Sequence, residues 1–437
     1  METVCQLINQ QEYRTALVRL WHLAQQSYSQ GGTQLDEWSR KPSRMAVSDR
    51  IKAHFETGKE LLELIDLLAR PTDVIEALDR LLAAPKRKKI AVIPIAIESA
   101  TYFLVQGSPH GGVEQTQAVR FGNYISHHQV IPEQLEKGVS ARVHNLAEKA
   151  PTANAALKKQ LKPKTATLCA ALGYFMDQHQ ITWSTKETHH GREIGFATGT
   201  MGEKERFAEA QKQILAAEKR SVQLLIFPEL TLSCAVQKDI ADWLLERYET
   251  GNPCTIPLIV LGSFHLHCQS QPRNRCHLLQ GTNGRSILVH DKFSPASIGG
   301  FTEDFTPGQF ASLLQTPIGN LSMAICKDCV NDYKTIWLDQ LCPDWLLIPS
   351  LSDKVHLHQQ TTRELWNRHR CTSLVANQPI GASTLNMPAS ATAPHFGYIH
   401  ASQSAAIDKL DDQAYHPGNS ALWIFDVAIP AYKIKQC

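Results

Sequence analysis

The sequence has no long apolar run. Its longest candidate, Ile90 to Ile97, is strand-sized and carries Pro94, well short of the roughly 18 residues that cross a bilayer, so no membrane partner is expected. It also lacks a surplus of charge of either sign. With 44 basic and 42 acidic side chains the formal net charge is +2, which excludes the chain-wide basic surface of an overt nucleic-acid binder. The first residues, Met1 to Cys5, hold no basic region followed by an apolar stretch, so no signal peptide is expected and the cytoplasm is the expected compartment. No internal repeat or low-complexity segment is found. What is present is ordinary for a folded chain: 43% hydrophobic and 20% charged residues, enough for a full-sized core and too apolar for disorder to dominate. A length of 437 residues suggests about two or three domains. Eleven cysteines, an odd number without the spacing of a small disulfide framework, read as reduced thiols that mostly serve as small buried hydrophobes.

Two halves differ in pattern. In residues 1 to about 85, apolar residues recur at helical spacing: Leu7, Ile8, Tyr13, Ala16, Leu17 and Leu20, then Leu61, Leu62, Ile65 and Leu68, then Val74, Leu78 and Leu81. Gln30 to Arg44 reads as a loop. The basic cluster Lys86–Lys89 leads into a strand over 90–97, and helical periodicity returns from Pro132 to about Gln180, with a second basic run from Lys158 to Lys164. The polar, His-rich stretch Ser184 to Arg192 is the expected join. Beyond it, strand patterns (Ile194–Thr198, Val222–Phe227, Leu258–Gly262, Arg285–His290, Asn320–Ile325, Trp345–Ile348) alternate with helical ones (Glu203–Arg220, Ile240–Tyr248, Thr361–Arg370). That alternation predicts a layered α/β domain with helices outside strands. The expected division is a mainly helical N-terminal module, 1–185, and an α/β domain, 191–437.

Three strand ends in the second half carry reactive side chains. Leu224-Leu225-Ile226-Phe227-Pro228-Glu229 ends in an acid, Leu288-Val289-His290-Asp291-Lys292 in a lysine, and Leu321-Ser322-Met323-Ala324-Ile325-Cys326 in a cysteine. Functional groups of α/β folds sit where strands give way to loops. Cys326 and Cys329 also have the CxxC spacing. A zinc site needs about four ligands, and the nearby His265, His267, Cys268, Cys276 and His277 supply no second CxxC and no regular HxxxH. No metal and no cofactor is therefore expected, and Cys329 reads as packed.

In this order, Glu229, Lys292 and Cys326 resemble the catalytic set of the nitrilase (carbon–nitrogen hydrolase) superfamily. There a glutamate follows Phe-Pro, a lysine follows a later strand, and a cysteine nucleophile opens an Ile-Cys-x-Asp/Glu motif, here with Asp328. Gly262-Ser263, Asn274, Glu303 with Phe305, Pro307 and Gly308, Asp344 to Ser350, and Arg370 through Asn377 and Gln378 resemble further family motifs, so the likeness covers about 191 to 428. It implies a four-layer α-β-β-α sandwich. It implies Glu229 as general base, Cys326 as nucleophile forming a thioester, and Lys292 with the backbone N–H of Lys327 as stabilisers of the developing oxyanion. Glu303 matches the family's second glutamate, which orients substrate and lysine.

The sequence also departs from the family. Lys327 stands where an aromatic residue is usual, its side chain either lining the pocket, where it would favour an anionic substrate, or facing away. Val330-Asn331-Asp332 replaces a common Pro-Glu pair. Asp328 in place of glutamate leans toward amides or carbamoyl compounds rather than nitriles. The resemblance implies a small amide-like substrate and a homo-oligomer. Residues 1–185 match no family motif. They leave room for a protein or nucleic-acid partner through the N-terminal module, and for a second reading in which the fold is a sensing or scaffolding part of a larger assembly.

Overall fold

In a computed structural model, the residues described are 1–31, 71–83, 92–106, 128–135, 138–160, 167–175, 181–298, 300–330, 336–352, 355–369, 371–378, 397–400 and 422–429. The helical expectation at 61–68, the loop over 32–44, Lys86–Lys89, Lys162, Lys164, Asn331, Asp332 and Arg370 lie outside them. Contacts divide the chain into two compact units, Met1–Gln134 and Leu135–Ala431.

The first unit contains α1 (Glu2–Asn9), α2 (Tyr13–Gly31), α3 (Pro71–Ala83) and an antiparallel sheet of β1 (Pro94–Ile97), β2 (Ala100–Gln106) and β3 (His128–Pro132). The helices follow the expected periodicity and bury Val4, Ile8, Leu17, Val74 and Leu78 against Leu104 and Val130 of the sheet. Within this unit Asp79 and His128 form a buried pair at 2.9 Å. The module is thus helical with a small sheet added.

The second unit begins earlier than the sequence pattern suggests. The boundary expected between 185 and 191 falls instead at Gln134/Leu135, because β4 (Ser140–Asn145), α4 (Leu146–Lys149), α5 (Pro151–Gln160) and β5 (Thr167–Gly173) belong to the α/β layers. Among the described residues, the helical expectation over 132–180 holds only for 146–160. The run Thr-Leu-Cys-Ala-Ala-Leu-Gly of β5 is short and continuously apolar. Periodicity cannot distinguish such a run from a buried helix, and here it is a strand paired on both sides. The expected join at 184–192 is a hairpin of β6 (Ile181–Glu187) and β7 (Glu193–Thr200).

From there the alternation matches expectation: α6 (Glu203–Lys219), β8 (Leu224–Ile226), α7 (Cys234–Glu249), β9 (Leu258–Cys268), β10 (Gln271–Gln280), β11 (Ser286–Asp291), β12 (Ser297–Ile298), β13 (Phe301–Glu303), β14 (Phe310–Thr316) and β15 (Gly319–Met323). After these come α8 (Ile336–Leu341), β16 (Trp345–Leu351), α9 (Val355–His369), β17 (Thr372–Gln378), β18 (Gly397–His400) and β19 (Leu422–Ala428).

Two six-stranded sheets, β11-β10-β9-β8-β5-β19 and β18-β17-β16-β15-β14-β4, face one another. Leu224, Ile226 and Val260 of the first pack with Met323, Trp345 and Leu347 of the second in one core. Leu225, between two inward residues, points outward against Ile214 of α6 and Ile240 of α7. Its strand is apolar on both faces, as a strand with parallel neighbours covered on both sides requires. α9 covers the other sheet, burying Leu365 and Trp366. This is the four-layer α-β-β-α sandwich. A smaller sheet, β12-β13-β7-β6, lies beside it, with Ala197 and Phe301 packed on Phe264 of β9. Lys158 and Lys159 are exposed in the last turn of α5, where positive charge complements the helix dipole. No helix among the described residues is long and apolar enough to cross a membrane.

Candidate active site

Each reactive side chain is presented by a strand end held in place by its neighbours. Glu229 follows β8. The Phe227 N–H donates to Val260 (2.9 Å), and the Leu230 N–H donates to Ser263 (2.7 Å), with Leu230 at φ +56°. This chain end passes so near β9 that a Cβ on Gly262, itself at φ +72°, would lie 2.0 Å from the Pro228 carbonyl oxygen. The Gly-Ser motif is therefore a close-approach point within β9 rather than the end of a strand. Lys292 follows β11, its N–H donating to Asn274 of β10 (2.8 Å) and its carbonyl accepting from Gly308 (2.9 Å). Cys326 follows β15, opens a 3-10 turn ending at Cys329, and sits at φ +44°. That left-handed conformation typically costs a non-glycine residue about 1–3 kcal/mol.

The strand ends converge. The Lys292 Nζ donates to Glu229 Oε1 at 2.7 Å and to Glu303 Oε2 at 2.6 Å. Asn274 Nδ2 bridges the same two carboxylates, at 2.9 Å to Glu229 Oε1 and 3.0 Å to Glu303 Oε1. Glu229 Oε2 accepts from the Leu351 N–H at 3.2 Å, and the carboxylate is near enough to Cys326 for each to bear on the other's ionisation. Glu303 also accepts from the Ala296 N–H at 2.7 Å. His265 Nδ1 accepts from the Ala197 N–H at 2.8 Å. This fixes the tautomer with the proton on Nε2, which donates to Glu303 Oε1 at 3.0 Å. The Cys326 Sγ lies 3.7 Å from the Leu351 carbonyl and 3.5 Å from Ser350 Oγ, whose hydroxyl is in turn 3.1 Å from His358 Nε2 of α9.

The electrostatics follow from burial. Glu229, Lys292 and Glu303 are each at most 3% exposed, and two carboxylates share one ammonium. For Glu303, burial pushes the pKa up, but Lys292 and the His265 donor overcome it and hold the group at about 2. For Glu229, burial dominates over Lys292, and repulsion from Glu303 adds to it, so its carboxyl lies above the usual range. Burial would lower the Lys292 pKa, yet the two carboxylates raise it above the ordinary value, so the ammonium persists. Burial and the nearby Glu229 push the Cys326 thiol up to about 12, against the opposing effects of Lys292, Ser350 and Leu351. The resting pair is a thiol beside a base, not a preformed thiolate. An ammonium has three protons. Two are engaged by Glu229 and Glu303, which leaves the third for an atom in the site.

Glu229, Lys292, Cys326 and Glu303 are thus brought into one cluster. Lys327 divides into two parts. Its side chain donates to the Pro295 carbonyl at 2.8 Å, which ties the ammonium to the loop after Lys292. Its backbone N–H belongs to the opening of the 3-10 turn, where donors have no intrahelical partner. Asp328 is buried and acts as a strap: Oδ1 accepts from the N–H groups of Phe293 (3.0 Å) and Ser294 (2.9 Å), and Oδ2 from Ile325 (3.3 Å). It thereby clamps the lysine loop to the cysteine turn. His290 packs beside it, 3.3 Å from Oδ2. His265, Ser350 and His358 were not singled out as site residues by the sequence. The available signal for His265 was a polar residue on an apolar strand, in register with Asn274. Nothing local marked His358, which reaches Ser350 from the next helix. Among the described residues no group of three or more His, Cys, Asp or Glu is arranged to hold a metal ion.

Fold and site together define a nitrilase-like sandwich with a buried cysteine, lysine and glutamate pair. No protein-family model and no curated protein sequence matches the chain. Among solved structures it resembles the glutamine-dependent NAD+ synthetase from Acinetobacter baumannii, at 20% identity over 48% of this chain and 38% of that one (TM-score 0.34). It also resembles an amidase from Nesterenkonia sp., at 15% identity over 49% of this chain and 78% of that one (TM-score 0.37), and a mutant of the Nesterenkonia AN1 amidase from the nitrilase superfamily, at 15% over 48% and 76% (TM-score 0.34). The chain therefore spans well under half of the synthetase. Likeness at this level concerns the fold, and the chemistry must be read from the side chains.

Proposed function

We propose that the chain hydrolyses a carbon–nitrogen bond other than a peptide bond, of amide or carbamoyl type, in a small molecule through a thioester on Cys326. One observation carries this reading: a buried ammonium holds two glutamates, and the cysteine thiol shares with one of them the main chain of Leu351, whose N–H donates to Glu229 and whose carbonyl faces the sulfur. In the first step the Cys326 sulfur attacks the carbonyl carbon while Glu229 takes the thiol proton. The oxyanion meets the third proton of Lys292 and the Lys327 N–H, donors fixed before reaction begins. The carbon–nitrogen bond then breaks, Glu229 returns its proton to the departing amine, and a thioester remains. Water, deprotonated by the same carboxylate, attacks the thioester and releases the acid and the thiol. Glu303 and Asn274 hold Lys292 and Glu229 in register throughout. An amine in place of water would turn the same thioester to acyl transfer, which product mass spectrometry distinguishes.

The test is a screen of small amides and carbamoyl compounds for ammonia release, followed by intact-mass detection of the acyl adduct on the active substrate. Cys326→Ala is expected to lose both. Full ammonia release by that variant would show the mechanism to be wrong.

A further inference from the structure

A second cysteine sits in an organised polar cluster that the proposed chemistry does not use. Cys342 follows α8 and precedes β16, and His369 is the last residue of α9, just before β17. β15, β16 and β17 run parallel. Cys342 and His369 therefore lie at the edge of the sheet where β16 and β17 begin, whereas Cys326 lies at the edge where β15 ends. The Cys342 Sγ is 3.4 Å from His369 Nδ1, and His369 Nε2 is 2.6 Å from Asp339 Oδ1. The carboxylate fixes a proton on Nε2, so Nδ1 is the ring position that shares a proton with the sulfur. The Asp339 carbonyl, 2.7 Å from the same Sγ, is the thiol's other acceptor.

The cluster is half-buried rather than sealed. The side chains of His369 and Asp339 are 11% and 20% exposed, and Cys342 is of intermediate exposure, so a small molecule has access. Cys342 has φ +41° and ends α8 with its N–H on the Leu338 carbonyl at 2.8 Å. Glycine or asparagine usually takes that helix-terminal conformation. Here the backbone turn aims a thiol at an imidazole. Burial would lower the His369 pKa, but Cys342 and Asp339 carry it up to about 9, so the ring readily holds a proton taken from sulfur.

We propose that Cys342, with His369 and Asp339, is a second reactive thiol site, one that a peroxide converts to a sulfenic acid. His369 accepts the thiol proton and the sulfur attacks one peroxide oxygen. The sulfur–oxygen bond forms as the oxygen–oxygen bond breaks, and the proton on His369 passes to the departing hydroxide to give water. Sulfur loses two electrons and the peroxide gains them. The inference is independent of Cys326, since it draws on no residue of that cluster.

The experiment treats the full chain with limiting hydrogen peroxide and dimedone and measures adducts at each cysteine by mass spectrometry. Cys234 is the reference: the residue is exposed, but burial of its sulfur, which donates to the His265 carbonyl, holds its thiol at about 11. Cys342 is expected to label about tenfold faster than Cys234 or more, and His369→Gln to bring it down to the Cys234 rate. Labelling of Cys342 in the unmodified chain no faster than that of Cys234 would overturn the proposal without any variant. Unchanged labelling in a folded His369→Gln protein would overturn it equally. Adducts at Cys326 are counted separately and affect neither outcome.

Discussion

Glu229→Gln separates the catalytic role proposed for this carboxylate from its structural one. The native cluster buries two carboxylates against one ammonium, and the surplus negative charge helps raise the Glu229 pKa. Glutamine keeps an oxygen for Lys292 and Asn274 and removes the repulsion with Glu303. In exchange it turns an amide toward the Leu351 N–H, which loses its acceptor. Neutralising the buried carboxylate relieves its desolvation and its repulsion with Glu303, while the lost Lys292 attraction and the lost Leu351 hydrogen bond oppose that gain. Stability at neutral pH should therefore stay within about 1 kcal/mol of the native chain. Activity should not survive. Loss of a general base costs about 10²–10⁴-fold, or about 3–5 kcal/mol of barrier. Lys292→Met is the contrast, because it strands two buried carboxylates without a counterion, a change that costs about 3–5 kcal/mol of stability. Ammonia release from an active amide and urea unfolding, measured on both variants, give the two axes. A Glu229→Gln protein with native turnover, or one as unstable as Lys292→Met, would refute the charge assignment.

Four further outcomes are expected. The acid limb of kcat/KM against pH should titrate above the ordinary carboxylate value of 4.5, because burial and Glu303 raise Glu229, and Glu303→Gln should move that limb to lower pH; a limb at or below 4.5 in the native chain would contradict this. The folded-state pKa of Glu303 is depressed to about 2, so its stabilising contribution is fully present above 4.5 and is lost as pH falls toward 2, visible in unfolding midpoints compared with Glu303→Gln. Gly262→Ala should lose about 1–3 kcal/mol from its φ of +72° alone, and more from the contact with Pro228; an unfolding curve matching the native one would show that the strand can move aside. Ser350→Ala removes the group linking Cys326 to His358 and should slow kcat about tenfold with KM little changed, which steady-state kinetics on the same amide will show.

The parts of the site legible in the sequence are those in which a reactive residue ends an apolar strand. Glu229, Lys292 and Cys326 each follow a run whose burial fixes its position, so order along the chain translated into proximity. Glu303 ends a three-residue strand and was visible only through its motif. His265 and Asn274 face each other across a strand pair, and their role depends on register, which apolar patterning does not report. His358 reaches Ser350 from a separate helix, a contact set by packing alone. The domain boundary was misplaced for a related reason. β4 and β5 join the sheets by pairing with strands far along the chain, β4 with β14 and β5 with β8 and β19, and nothing local in a short apolar segment announces a distant partner.

The second glutamate bears on the course of the proposed reaction. At rest the cluster carries one surplus negative charge, located on Glu229 because Glu303 is held ionised by Lys292 and His265. When the thiol proton moves to Glu229, that charge moves to sulfur and then, as the carbon is attacked, to the oxyanion. The buried site thus carries the same total charge before and after attack, and only its position changes. Transfer of a charge already desolvated, over a short distance and past a fixed ammonium, avoids the large cost of creating a new one in a low-dielectric interior. A thiol held at about 12 suits this course, since a thiolate standing beside Glu229 and Glu303 would add a second surplus charge before any substrate arrived. It follows that alkylation of Cys326 by iodoacetamide depends on Glu229 as proton acceptor. Glu229→Gln should slow that alkylation while leaving the rate at Cys234 unchanged, and equal rates at Cys326 in the two proteins would mean that the sulfur is ionised by some other group.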